Sequence, residues 1–335
     1  MKIVIADYPD VLGRDIQREY ALLRQEIPDA EIVLHPYTDP EAFYREMADA
    51  DGLLTAFIPL DRAALDRMPR LKAISINATG YNFVDLEETR RRDIPVCAIG
   101  EYCTQEVADH TMALLLALER HLKHYTRLID REHRWQYYAA PQPLGLSGSV
   151  MGIFGFGKIG RAVARRAQAF GMRVLAVDPH AEEQQAQLLG VSLTDTDTLL
   201  QNADVITNHM NQTAENQNFF DEDCFRRMRK HPIFLNVSRG GSVDEPALVR
   251  ALDAGWVRAA GLDVLREEKP DLTNNPLIGR ENVIVTPHAA FYSARSIEAL
   301  QRLSCRNLTD CLTGRRERAF RIVNGLAPQT EDKTS

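Results

Sequence analysis

Short apolar runs alternate with amphipathic stretches of helical spacing from the first residues onward. Strand-like runs fall at Lys2 to Ala6, Glu31 to Leu34, Gly52 to Thr55, Ala73 to Ile76 and Pro95 to Cys97, and Val11 to Gln25 forms a helical connection between the first two. Strands alternating with helices predict a parallel, doubly wound sheet of flavodoxin type, whose ligands bind at the carboxyl ends of the strands. Two loops are placed there: Thr55, Ala56, Phe57 and Ile58 after the third strand, and Asn77, Ala78, Thr79 and Gly80 after the fourth.

The stretch TQEVADHTMALLLALERHLKHY reads as one buried helix, with Val107, Thr111, Leu114, Leu115, Leu118 and Leu122 on its apolar stripe and Thr104 as its N-cap. The segment that follows, with Trp135, Tyr137 and Tyr138, has no place in a doubly wound unit. It is expected to connect two domains and, through the region 103–148, to make a homodimer contact. His121 and His124 lie one helical turn apart, but with no third ligand suggested nearby they are expected to be surface residues, and no metal is expected.

Val150 to Phe154 is an apolar run that suits a buried strand, and Gly155, Gly157 and Gly160 follow it in GxGxxG spacing where the chain turns into a helix. Gly155 permits the turn, Gly157 gives a pyrophosphate room at the helix N-terminus, and Gly160 lets the helix pack closely. Arg173 to Val177 is the next strand, and Asp178 closes it where an acid accepts the ribose hydroxyls of NAD and repels the extra phosphate of NADP. Further strands at Asp204 to Asn208, Ile233 to Val237, Ala259 to Leu262 and Asn282 to Val285 complete a second parallel sheet. The last helix, Ala294 to Leu312, is expected to return to the first domain, and the tail PQTEDKTS to be disordered. The domain boundaries expected are 1–102 plus 293–335 for a substrate domain and 103–292 for a nucleotide-binding one.

Length and charge agree with this division. A chain of 335 residues is long for a single core, and a net charge of −7 argues against a general binder of nucleic acid or anionic membrane. Five cysteines without CxxC spacing indicate free thiols in a reducing compartment, and the N-terminus is too short in its apolar part for a signal peptide, so a cytoplasmic location is expected.

Three stretches end strands of the second sheet: NVSRGGSVDE, GLDVLREEKP and VTPHAAFYS. Arg239, flanked by Gly240 and Gly241, presents a planar fork suited to a carboxylate, although a surface pairing with Asp244 or Glu245 is an equal alternative on spacing alone. Asp263, Glu267 and Glu268 are acids of one loop. His288 follows Pro287, and its imidazole is the natural proton carrier near neutral pH, helped by any carboxylate that stabilises imidazolium.

With IFGFGKIGRAVARRAQAFGMRVLAVDP, LNVSRGGSVDEPALVRAL, the acids of LDVLREE, and TPHAAFYS in order, the chain resembles the NAD-dependent D-isomer-specific 2-hydroxyacid dehydrogenases over almost its full length. The resemblance implies a flavodoxin-like substrate domain and a Rossmann NAD-binding domain. It implies that Arg239 binds substrate carboxylate and keto oxygen, that His288 is the acid/base, and that Glu268, five residues after Asp263, orients it. It further implies that NAD meets Gly155, Gly157, Lys158, Ile159, Gly160 and Asp178, together with Thr79, Val107, His209, Met210, Asn211, Thr213, Val237, Ser238 and Asp263. Tyr102 falls where D-lactate dehydrogenases carry a tyrosine that closes over substrate. The family's HxPxT loop has Asn211 in place of proline here, and Lys269 and Pro270 replace its EP.

Substrate contacts are expected from Phe57, Ile58, Ala78, Thr79, Gly80, Tyr102 and Arg239. The mostly apolar set favours an uncharged small 2-keto acid over a phosphorylated one. TPHAAFYS also looks close to the TPHAAWYS of the C-terminal-binding proteins, which implies an NAD(H)-sensing binding protein as the alternative.

Overall fold

The computed structural model describes residues 1–11 and 14–326, so the tail PQTEDKTS lies outside the described residues. The chain forms two compact units, Met1–Tyr102 with Ser293–Ser335, and Cys103–Tyr292.

In the first unit the strands β1 (Lys2–Asp7), β2 (Glu31–Pro36), β3 (Gly52–Thr55), β4 (Ala73–Ile76) and β5 (Val96–Cys97) are all parallel, in the order β2-β1-β3-β4-β5. This is the flavodoxin-type order expected from the alternation. Ile3, Val4, Ile5 and Ala6 are fully buried because helices cover both faces, which is why β1 reads as an unbroken apolar run rather than an alternating one. The connecting helices are α1 (Ile16–Glu26), α2 (Pro40–Met47), α3 (Arg62–Asp66) and α4 (Leu86–Arg91). Each starts on an aspartate, Asp15, Asp39, Asp61 and Asp85, whose side chain accepts from a first-turn N–H. Such a cap contributes about 1 kcal/mol.

The second unit contains α5 (Thr104–Glu119), α6 (Leu122–Asp130), β6 (Val150–Phe154), α7 (Lys158–Ala169), β7 (Arg173–Val177), α8 (Glu183–Leu188), β8 (Ser192–Leu193), α9 (Thr196–Asn202), β9 (Val205–Asn208), α10 (Glu222–Arg226), β10 (Ile233–Asn236), α11 (Glu245–Asp253), β11 (Ala259–Leu262) and β12 (Val283–Val285). Its seven strands are parallel in the order β12-β11-β10-β9-β6-β7-β8. The chain ends in α12 (Ala294–Leu312), which belongs to the first unit and opens with a capping box between Ser293 and Ser296.

Three local features differ from the sequence pattern. The long helix expected from residue 104 breaks after Glu119: His121 takes a left-handed backbone (φ 51°), α6 starts anew, and Leu122 is exposed instead of continuing the stripe. Cys103, not Thr104, is the N-cap residue, without a side-chain cap bond. The edge strand β8 has only two residues and carries no period that a sequence pattern could register. Among the described residues no helix is long and apolar enough to cross a membrane.

Candidate active site

The turn from β6 into α7 is built around its glycines. Gly155 has φ 86°, and a β-carbon there would lie 2.6 Å from the His209 backbone. One on Gly160 would lie 2.2 Å from the Gly155 carbonyl oxygen, so the first turn of α7 rests directly on the loop. At Gly157, by contrast, the β-position faces open space, and this N-cap residue offers no side chain to the first N–H groups of a twelve-residue helix. Open room beside uncapped N–H donors at a helix N-terminus fits a pyrophosphate. Lys158 is exposed and Ile159 half-buried on the same first turn.

Asp178 follows β7 and closes the turn. Its Oδ2 accepts from Phe156 N–H at 2.7 Å and its Oδ1 from His180 N–H at 2.8 Å. The carboxylate thus shapes the loop and stays half-buried at its rim, which fits a ribose at the strand's end.

Beyond β9 and β10, three polar residues that the sequence reading passed over organise the site. Asn208 and Asn236 end their strands, and with Ser242 they form a buried network: Asn208 Nδ2 donates to Asn236 Oδ1 (3.1 Å) and to Ser242 Oγ (2.8 Å). Asn236 Nδ2 and Ser242 Oγ both donate to the Arg239 carbonyl. The signal was present as a single polar residue closing each apolar run, VITN and IFLN. Met210 N–H donates to Asn208 Oδ1, Ser238 N–H to Asn236 Oδ1, and Ser238 Oγ to the Met210 carbonyl, so this network also sets the loop carrying His209, Met210, Asn211 and Thr213. Asn211 and Thr213 are exposed, and Val237 is buried. The His209 ring is enclosed, and burial pushes it down to about 3, so it is a neutral packing element bonded to Thr207 Oγ1.

Arg239 donates from Nη1 to the Ser238 carbonyl at 2.8 Å. The alternative pairing with Asp244 or Glu245 does not occur: Asp244 caps α11, and Glu245 accepts from Arg266 N–H. The two glycines after Arg239 do more than leave room. A β-carbon on Gly240 would meet the Leu265 carbonyl oxygen at 1.9 Å, and one on Gly241 the Gln212 amide at 2.3 Å.

Asp263 is buried, and both carboxylate oxygens are taken. Oδ1 accepts from Thr286 Oγ1 and Ala289 N–H, and Oδ2 from Ala290 N–H. His110 Nε2 lies 2.9 Å from Thr286 Oγ1 and 3.5 Å from Asp263 Oδ1. These bonds give the Asp263 side chain a structural role inside the turn, beside any contact it makes to a cofactor. His288 N–H donates to the Asp263 carbonyl, and His288 adopts φ 51°. That conformation is uncommon for a residue with a β-carbon, and the turn around Asp263 enforces it. The ring's Nδ1 lies 2.9 Å from Glu268 Oε2. The hydrogen bond with His288 holds the Glu268 carboxyl below the usual carboxylate range, and the Arg239 charge adds to it.

In the first unit the loops after β3 and β4 hold the remaining candidates. Phe57 is exposed, but Ile58 is fully buried in the core, so its side chain is unavailable to a ligand. Ala78, Thr79, Gly80 and Tyr102 are half-buried, and the Ala78 carbonyl accepts from Ile99 N–H. The loop after β3 is tied to β1 through Asp7, whose Oδ2 accepts from Ala56 N–H at 2.6 Å. In the second unit Val107 is likewise buried, in a core cluster that includes Phe156, Val237 and Ala290.

Residues 112–290 match the NAD binding domain of the D-isomer specific 2-hydroxyacid dehydrogenases. Glyoxylate reductase of Korarchaeum cryptofilum is 35% identical over 264 residues, covering 78% of this chain and 79% of that protein. Hydroxypyruvate reductase of Blautia hydrogenotrophica is 34% identical over 286 residues, covering 83% and 87%. The crystal structure of D-lactate dehydrogenase from Aquifex aeolicus, complexed with NAD and lactic acid, superposes with a TM-score of 0.82 at 26% identity, covering 97% of this chain and 99% of that one. With its two all-parallel sheets and its dinucleotide turn, the chain belongs to the D-isomer specific 2-hydroxyacid dehydrogenase family.

Proposed function

We propose that the protein reduces a small, unphosphorylated 2-keto acid to the D-2-hydroxy acid with NADH, and catalyses the reverse oxidation. The observation that carries this is the Glu268–His288 pair at 2.9 Å in a turn fixed by Asp263, with Arg239 close enough for its charge to act on Glu268. Gly155, Gly157 and Gly160 would hold the cofactor's pyrophosphate and Asp178 its ribose. Bound NADH supplies the hydride. Arg239 binds the substrate carboxylate through its guanidinium fork and polarises the keto group. Because His288 Nδ1 is engaged by Glu268, Nε2 is the atom that protonates the nascent alkoxide, and in the oxidation direction the atom that accepts the proton.

The three relatives described above are named for glyoxylate, hydroxypyruvate and lactate, all small and unphosphorylated, whereas a D-3-phosphoglycerate dehydrogenase is 32% identical to this chain. The loop Thr55–Pro59 has no basic residue to hold a phosphate. The test is NADH oxidation across glyoxylate, hydroxypyruvate, pyruvate and longer 2-keto acids, with His288→Ala as control. Turnover with one of them, lost in the variant while NADH binding persists, supports the reading; tight NADH binding without turnover on any would replace it by the sensor reading.

We also infer a cytoplasmic homodimer. Trp135, Tyr137, Tyr138 and Leu144 are exposed together in the arm between α6 and β6, in keeping with a second copy covering them. Light scattering on the wild type and on Trp135→Asp checks this: a monomeric wild type would refute it.

A further inference from the structure

Cys97 closes β5 and Cys311 lies in the last turn of α12, 214 positions later, yet their sulfur atoms are 3.5 Å apart. Both lie within one core cluster of the first unit, among Ile3, Ile5, Leu54 and Leu308. An S–S bond is roughly 2 Å long, so the sulfurs must close by about 1.5 Å. Cys97 is buried in a strand held on both sides, by Ser75 and by Ile322, so the movement falls to Cys311, one residue from the end of α12.

Cys311 alone is distinguished from the other buried thiols; its partner Cys97 is raised well above the ordinary thiol range, by the hydrogen bond to Cys311 and by burial. Burial pushes Cys224 up to about 12 and raises Cys305 as well. Cys311 moves the opposite way: the Cys97 thiol can donate to its sulfur, and the Arg316 guanidinium favours the thiolate, with Asp310 and burial opposing. Arg316 is itself held by Asp93, through Nη1 at 2.8 Å. The thiolate is the nucleophilic form of cysteine.

We propose that Cys97 and Cys311 are a redox-active dithiol, oxidised by a hydroperoxide to a disulfide that clasps the two chain segments of the first unit. The Cys311 sulfur attacks one oxygen of hydrogen peroxide; the O–O bond breaks, and the leaving hydroxide takes up the thiol proton as water. The resulting sulfenic acid is attacked at sulfur by Cys97; the S–O bond breaks, and the hydroxyl leaves with the Cys97 proton as a second water. Two thiols are oxidised and one peroxide is reduced to two waters. The unit is assembled from opposite ends of the chain, so the cross-link removes freedom from the unfolded state and raises the melting temperature.

The experiment treats the full-length reduced protein with hydrogen peroxide, quenches with catalase, and counts thiols after denaturation. The expected result is a fall by two from five, a non-reduced peptide joining Cys97 to Cys311, and a melting temperature that rises and returns with dithiothreitol. Cys97→Ser should stop at a Cys311 sulfenic acid trapped by dimedone, and Cys311→Ser should leave Cys97 reduced. The peptide map of the wild type decides the matter even where a variant does not fold. Five thiols remaining after a dose that oxidises free glutathione, or oxidation confined to Cys103, Cys224 or Cys305, would overturn the proposal.

Discussion

Gly240 and Leu265 approach so closely that a β-carbon on the glycine would lie 1.9 Å from the leucine's carbonyl oxygen and 2.5 Å from the next backbone nitrogen. The turn that carries Arg239 is thereby seated on the backbone of the loop that carries Glu268, with no flexible side chain between them to give way. Gly240→Ala should cost roughly 2–4 kcal/mol of stability, as overpacking against backbone does. Activity should fall further than the melting temperature accounts for. Urea denaturation and kcat/KM on the same preparation check both halves.

Glu268→Gln keeps the shape of the side chain and removes its charge. Turnover should drop by roughly 100-fold, the range in which a positioned acid/base contributes. The wild type has a second signature. A carboxyl depressed in the folded state contributes stability that is present above the ordinary carboxylate range and lost as pH falls through the lowered value. The Gln variant should lack that acid-side loss, and a wild type whose stability below about pH 4 tracks the variant's would contradict the pairing.

Asp178→Ala should weaken NADH more than NADPH. Hydrogen bonds to a charged group contribute about 1.5–3 kcal/mol, so the KM for NADH should rise tenfold or more. Because the carboxylate also accepts from Phe156 N–H, some loss of stability should accompany the change. Steady-state kinetics with both cofactors gives the ratio, and an unchanged ratio would remove Asp178 from cofactor choice.

Burial pushes Asp7 up to about 6 from an ordinary 3.8, against the pull of Ala56 N–H and Arg14. A group with a raised folded-state value contributes stability that is complete below 3.8 and lost as pH rises through about 6. Relative to the wild type, Asp7→Asn should therefore gain about 3 kcal/mol between about pH 4 and pH 7. Chemical denaturation of both proteins at the two pH values reads the difference directly.

Where the information is local, it could be read from the chain. Buried parallel strands such as β6 are unbroken apolar runs, and the glycine spacing after it is set by steric needs that Gly155 and Gly160 display. Arg239 and His288 stand out as residues just after strands of one sheet, whereas Glu268 is singled out from Glu267 only by the family resemblance. What escaped depends on three-dimensional neighbours. Nothing in the sequence says that Ile58 points into the core while Phe57 points out. That the Asp263 side chain serves the His288 turn follows only when Thr286, Ala289 and Ala290 are folded around it. The break at His121 is a backbone choice within a stretch of good helix formers, and no residue there announces it.

The discontinuity of the first unit sets an order of events during synthesis. The seven-stranded sheet needs only contiguous chain, so it can be complete once Tyr292 has left the ribosome. The five-stranded sheet is then still missing α12, whose Leu308 and Cys311 cover Ile3, Ile5, Leu54 and Ala73 and whose Ser304 carbonyl accepts from Ser75 Oγ. Until the last helix emerges, one apolar face of that sheet is open, and the nascent chain is most exposed to aggregation and to chaperones over this interval.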